Sequence, residues 1–175
     1  LADIKKEAQT LAANGYREIV LVGINLSSYG TDTGLTLCDA VNAVCSVDGI
    51  KRVRLGSLEP DHMTEEMIKG LKRQEKLCPQ FHISLQSGCT ETLKRMNRHY
   101  DAAEYARICA DLRASFKDCT ITTDVMVGFA GETDDEFNQS LEFVKAIGFE
   151  KVHVFPYSVR IGTRAASFPD QQDKK

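Results

Sequence analysis

Five short apolar runs rich in β-branched residues recur along the chain at intervals of roughly thirty to forty residues, the length of a β-strand plus a crossover helix and its connections. They are EIVLVG (18–23), VRLGSL (53–58), FHISLQ (81–86), TITTDVMVG (120–128) and VHVFPY (152–157). Between them the apolar residues switch to a helical period. Tyr105, Ile108, Cys109, Leu112 and Phe116 fall on one helix face, and Phe137, Leu141, Val144 and Gly148 on another. Asp101-x-x-Glu104 and Thr133-x-x-Glu136 are capping signals placed where those helices should begin.

Strands alternating with helices at this interval predict an α/β fold with a parallel sheet and right-handed crossovers. The chain has 175 residues, whereas a complete eightfold barrel takes about 250. Five strands therefore make an open sheet or part of a barrel. Residues 1–168 are expected to form one domain and 169–175 a polar, disordered tail. The helical pattern around Ile4, Ala8, Leu11 and Ala12 precedes the first strand, so a further strand is expected upstream. An unpaired first strand would leave an edge open to self-association.

No window holds the roughly 18 apolar residues of a membrane helix, and no secretion signal opens the chain. No membrane partner is expected, and the location predicted is cytoplasmic. A net charge of −3 advertises no global affinity for nucleic acid. The six cysteines (38, 45, 78, 89, 109, 119) contain no C-x2-C or C-x3-C spacing, so neither a zinc site nor a cluster loop is legible. In these apolar settings reduced thiols behave as small hydrophobes.

A ligand site in such a fold lies at the carboxyl ends of the strands. Those ends read GINLSSYGTDTG (23–34), GSLEPDH (56–62), LQSGCTETLKRMNR (85–98), VGFAGET (127–133) and FPYSVRIGTR (155–164). Each turns polar, and each carries glycine where backbone could approach a ligand closely. Neither Gly23-x6-Gly30 nor Gly128-x-x-Gly131 matches a phosphate-cradling motif. Acids start the helices after Gly131 and Pro60, and they would repel phosphate while suiting hydroxyls or an ammonium group. Lys94, Arg95 and Arg98 form a basic stretch able to hold a carboxylate. Together these predict an amino-acid-like ligand. Glu59 is fixed at a strand tip by Pro60, Asp124 needs a partner inside an apolar strand, and Gln86 and Ser87 end a buried strand where an amide must find partners. His82 and His153 read as hydrogen-bonded core histidines.

The motifs GINLSSYGTD, RLGSLEP, HISLQSG, LKRMNRHY, TDVMVGFAGET and VHVFPYSVRIGTRA, in this order, resemble the radical S-adenosylmethionine (SAM) domain of the methylthiotransferases over about residues 1–168. GINLSSYG and SLEP are most similar to the branch acting on N6-threonylcarbamoyladenosine in tRNA. The resemblance implies a partial parallel (β/α)6 barrel with five of six strands present, the first strand and its cluster loop being absent. It implies SAM as cofactor, cleaved to a hydrogen-abstracting radical on a [4Fe-4S] cluster of the parent protein, with no cluster expected on this chain. A second cluster in a preceding domain is implied for sulfur delivery, and tRNA is the implied partner, held mainly by a following domain. Carried over by motif, Gly23 and Asn25 match the turn receiving the methionine end of SAM, and Gln86 and Ser87 the strand end facing its ribose and methionine portion. Val127, Gly128 and Glu132 match the adenosine-facing segment, and Phe155 and Tyr157 the last strand beside adenine. Ser57, Glu59, Asp124 and Arg160 are further polar positions of the same rim.

Ala130 stands where that family has GFPGET, which predicts a less rigid turn. Without the cysteine loop the chain alone is expected to be inactive, and without the flanking domains its own tRNA binding is in question. Two other readings are open. A conventional barrel enzyme, an aldolase or hydrolase, would use Glu59, Asp124 and His153 as acid–base or metal groups. A binding module would hold SAM without chemistry.

Overall fold

The computed structural model describes residues 1–171. Six helices and six strands are assigned there: α1 (Ala2–Ala13), β1 (Glu18–Leu21), α2 (Leu37–Cys45), β2 (Arg52–Leu55), β3 (Ser57–Leu58), α3 (Glu65–Lys72), β4 (Gln80–Ile83), α4 (Thr90–Arg95), α5 (Ala102–Ser115), β5 (Thr120–Val127), α6 (Asp134–Ile147) and β6 (Lys151–Pro156). Every strand pair is parallel, in the orders β1-β2 and β3-β4-β5-β6. Neighbours in space are neighbours in sequence. With right-handed crossovers that order puts the connecting helices on one face, as in the wall of a barrel.

The second apolar run is two strands rather than one, and Gly56 is the reason. Its N–H donates to the Leu21 carbonyl at 2.8 Å, after which the chain leaves β1 and pairs with β4. A Cβ at Gly56 would lie 3.2 Å from Val22 Cγ1 and 3.3 Å from the Leu21 oxygen, so the switch passes where side chains have no room. Val53 and Leu55 are buried, and the next buried residue is Leu58. The step of three shows that the alternation slips by one residue, as at a bulge.

The core lies between strands and helices. Val41 and Val44 of α2, Ile68 and Leu71 of α3, and Tyr105 and Leu112 of α5 are buried there with Phe81, Ile83 and Ile121 of the strands. Capping boxes start α5 at Asp101 and α6 at Thr133, where the sequence signals lie. The face predicted for α6 is only partly buried. Phe137 and Leu141 are 41% and 39% exposed, while Phe143, Val144 and Ile147 pack on the core. That outer stripe stays partly in solvent.

All six thiols are free, and burial pushes that of Cys109 up to about 12. No helix among the described residues is long and apolar enough to cross a membrane. Of the expected tail, the Asp170 carbonyl accepts from Gly131 N–H, and the Gln171 amide donates to the Ala165 and Phe168 carbonyls. Residues 172–175 lie outside the described residues.

Candidate functional site at the carboxyl ends of the strands

In β5, Ile121, Thr123 and Val125 are buried toward the helices, and Thr122, Asp124 and Met126 take the other, open face. Register then aligns the neighbours on that face: His82 with Thr122, His153 with Asp124, and Phe155 with Met126. Asp124 sits between two imidazoles, 3.4 Å from His82 Nε2 and 3.4 Å from His153 Nδ1. Thr122 Oγ1 lies 3.0 Å from His82 Nδ1. His82 is half-buried and bonded, as read from the sequence. His153 is not a core histidine, because β6 is an edge and its side chain is 70% exposed.

The end of β4 is held by hydroxyl groups whose bracing role no sequence motif signals. Gln86 adopts φ +67°, a left-handed conformation unusual for a side chain of its kind. Its N–H donates to the Asp124 carbonyl at 2.9 Å and its own carbonyl accepts from Met126 N–H at 2.8 Å. Around it, Tyr100 Oη donates toward the Ser84 and Leu85 carbonyls, Tyr105 Oη to the Ile83 carbonyl, and Thr123 Oγ1 accepts from Leu85 N–H while donating to Ile83. Tyr105 and Thr123 are buried, and their hydroxyls mark the site only once the fold brings them under the strand end. Gln86 and Ser87 are buried as predicted, the Ser87 hydroxyl accepting from Cys89 N–H.

The turn after β5 uses glycine. Gly128 and Gly131 have φ +71° and +73°, and Gly128 N–H donates to Glu132 Oε2 at 2.5 Å. Burial raises the Glu132 carboxyl above the usual range, against the pull of that N–H. Arg95 from α4 grips Glu136 with two nitrogens at 2.8 and 2.5 Å, and this bonding holds the Glu136 carboxyl below the usual range. Glu136 also caps Thr133 N–H, so one carboxylate ties α4 to the start of α6. Val127 closes the strand by accepting from Tyr157 N–H, and the Tyr157 ring meets Phe129 at 5.0 Å.

On the other side of the rim, Glu59 pairs with Arg98 at 3.1 Å, and its N–H donates to Ser27 Oγ at 2.9 Å. That bond ties the helical turn just after the Gly23–Asn25 loop to the end of β3, where Ser57 stands beside His82. The rim thus gathers the strand ends carrying Ser57, Glu59, Gln86, Ser87, Asp124, Gly128 and Glu132. Phe155 lies on the open face, Tyr157 in the aromatic cluster, and Ile24 beside Gly23 is fully exposed. Arg95 Nε and Tyr157 Oη are the buried side-chain N/O atoms without a partner among the described residues. Both belong to this rim, which is where partnerless polar atoms fit a ligand best. Bare backbone at Gly128 and Gly131, with carboxylates and hydroxyls nearby, suits the ribose, amine and adenine of SAM. For an iron–sulfur cluster the donors do not fit: no group of three His, Cys, Asp or Glu among the described residues could hold a metal.

A family model described as the Radical SAM superfamily matches residues 1–144. The threonylcarbamoyladenosine tRNA methylthiotransferase MtaB of Thermotoga maritima is 43% identical over 162 residues, covering 93% of this chain and 37% of its own length. A tRNA-2-methylthio-N(6)-dimethylallyladenosine synthase of Clostridium botulinum is 39% identical over 171 residues, covering 97% of this chain and 38% of its own. This chain therefore spans under two-fifths of the curated relatives it matches. In fold it is similar to the radical S-adenosylmethionine methyltransferase TsrM of Kitasatospora setae, with a TM-score of 0.70 at 14% identity over 89% of this chain and 30% of that one. The singly wound parallel sheet is thus a partial barrel of the radical SAM type.

Proposed function

Because the chain belongs to the radical SAM superfamily, we propose that it is the core-domain segment, residues 1–168, of a tRNA methylthiotransferase acting on N6-threonylcarbamoyladenosine. The observation that carries this reading is the rim itself. Two left-handed turns, at Gln86 and Gly128, end adjacent strands, and Gln86 is bonded to the Asp124 and Met126 backbone just before Gly128. The 43% identity to a relative bearing that activity in its name supports it.

When bound beside the parent protein's cluster, SAM would supply radical chemistry at the target adenosine. This chain's residues bind and orient. Gly128 would bring backbone to the adenosyl group, and Glu132 fixes that turn by accepting from Gly128 N–H. The strand end at Gln86 would face the ribose and methionine portion, with Ser87 buried behind it as a brace on Cys89 N–H and Asp124 and Ser57 on the same open face. Gly23 and Asn25 receive the methionine end, and Glu59, held by Arg98, closes that side. Phe155 and Tyr157 wall the adenine and keep water from the reacting atoms. Sulfur delivery and most tRNA contacts belong to other parts of the parent, a cytoplasmic enzyme. The apolar β1 edge, with Val20 and Val22 exposed, takes another strand, from the parent or from a second copy.

The test is expression of the full-length parent in a host lacking its own tRNA methylthiotransferases, with mass spectrometry of the digested tRNA. The 2-methylthio form of threonylcarbamoyladenosine should appear. Its absence, or a methylthio group on dimethylallyladenosine alone, sinks the reading. The conventional acid–base alternative, with Glu59, Asp124 and His153 as its groups, draws on the approach of His153 to Asp124 at 3.4 Å, and it requires turnover by this chain in air without SAM.

A further inference from the structure

A cavity of about 710 Å³ opens where the end of α4, the turn after β5 and the segment 164–170 meet. Its walls are largely apolar: Met96, Met126, Phe129, Ala130, Ala165 and Phe168. Four cations also reach it, against one carboxylate, Asp170. Three of those cations are engaged: Lys94 with Glu91, Arg95 with Glu136 and Arg98 with Glu59. Arg164 has no ion-pair partner among the described residues, and its guanidinium lies over the Phe168 ring at 6.0 Å. Its backbone is anchored, since the Gln171 amide holds Ala165 and Phe168 while Asp170 holds Gly131.

An apolar chamber with one guanidinium that no carboxylate among the described residues pairs, pre-oriented over Phe168, fits a short carbon skeleton ending in an anion. It suits an RNA backbone poorly, because phosphodiesters run over polar, solvated surface. The relatives' two named substrates differ in this respect. A threonylcarbamoyl group carries a methyl, a hydroxyl and a carboxylate, whereas a dimethylallyl group is uncharged. We propose that this cavity receives the N6 substituent of the target adenosine and that Arg164 binds its carboxylate. The inference rests on the proposed function and makes Arg164 a residue that determines specificity.

The experiment uses the full-length parent and four anticodon stem-loops differing at one adenosine: threonylcarbamoyl, its carboxyl methyl ester, dimethylallyl and unmodified. Fluorescence anisotropy should show the free acid bound about tenfold or more tighter than the ester, the scale of one charge-assisted hydrogen bond. Arg164→Gln should bring that ratio to within about twofold while leaving the unmodified stem-loop unchanged, and Arg164→Lys should restore part of it. A uniform loss across all four stem-loops would mean a phosphate contact and overturn the proposal. So would weaker SAM binding by Arg164→Gln with the acid-to-ester ratio intact, which would give the arginine to the SAM carboxylate. If the protein methylthiolates threonylcarbamoyladenosine yet binds acid and ester equally, this inference alone falls. If it binds no stem-loop and makes no product, the functional reading falls with it.

Discussion

The turns that end β4 and β5 reach the same rim with left-handed backbone, but by different means. After β5 the chain spends glycines, at φ +71° and +73°, and one carboxylate accepting from Gly128 N–H is enough to fix the turn. After β4 a glutamine takes φ +67°, and buried hydroxyls from β5, α5 and the loop before α5 hold the strand end around it. A turn made by glycine is stabilised locally, whereas a turn forced on a side chain depends on tertiary contacts. The β4 turn should therefore be the more vulnerable to changes made far from it.

Thr123→Val offers the strongest break. The hydroxyl accepts from Leu85 N–H at 3.0 Å and donates to the Ile83 carbonyl at 2.6 Å. Valine would leave the buried Leu85 N–H without an acceptor, a loss of about 1–3 kcal/mol. Urea denaturation should show it, with Thr122→Val as the control. Thr122 bonds a half-exposed histidine, and its loss should cost under about 1 kcal/mol. Equal losses from the two substitutions would mean that the β4 turn does not depend on its buried braces.

Next comes Gly128→Ala, which places a side chain at φ +71° and should cost about 1–2 kcal/mol by the left-handed penalty alone. SAM affinity of the cluster-loaded parent should fall with it. Gln86→Gly is the mirror experiment. It relieves a similar penalty while freeing the unfolded chain, so the net change should stay within about 1 kcal/mol. A large loss would show that the Gln86 side chain, not its backbone, holds the strand end.

This contrast also explains what could be read in advance. The five-strand rhythm, the caps at Asp101 and Thr133 and the glycine turn are local patterns, each complete within a few residues. The resemblance added a rim that no single spacing could assign. The switch at Gly56 was illegible because it depends on which neighbour the strand pairs with, and VRLGSL alternates plausibly as one run. Tyr105 and Thr123 looked like ordinary core residues, since their hydroxyls matter only where β4 breaks. His153 looked buried because β6 is apolar, yet as an edge strand it leaves that side chain in solvent. The Arg95–Glu136 bond joins residues 41 apart, beyond any periodic signal.

The smallest effect separates the two carboxylates flanking the β5 turn. Burial raises the Glu132 carboxyl, so the fold prefers its neutral form. That contribution is present below the ordinary glutamate range, near pH 4.3, and is lost as pH rises through the raised value. Glu136 runs the other way: Arg95 lowers it, and its contribution is present above the ordinary range and lost as pH falls through the lowered value. Glu132→Gln keeps an oxygen for Gly128 N–H and removes the charge. It should therefore equal the parent below the ordinary range and gain slightly on it at pH 7. Glu136→Gln should fall behind at pH 7 and converge with the parent in acid. Urea midpoints of the three proteins across that range give two difference curves of opposite slope. Parallel curves would mean that the two carboxylates share one environment, and the turn would then be held by charge rather than by its glycines.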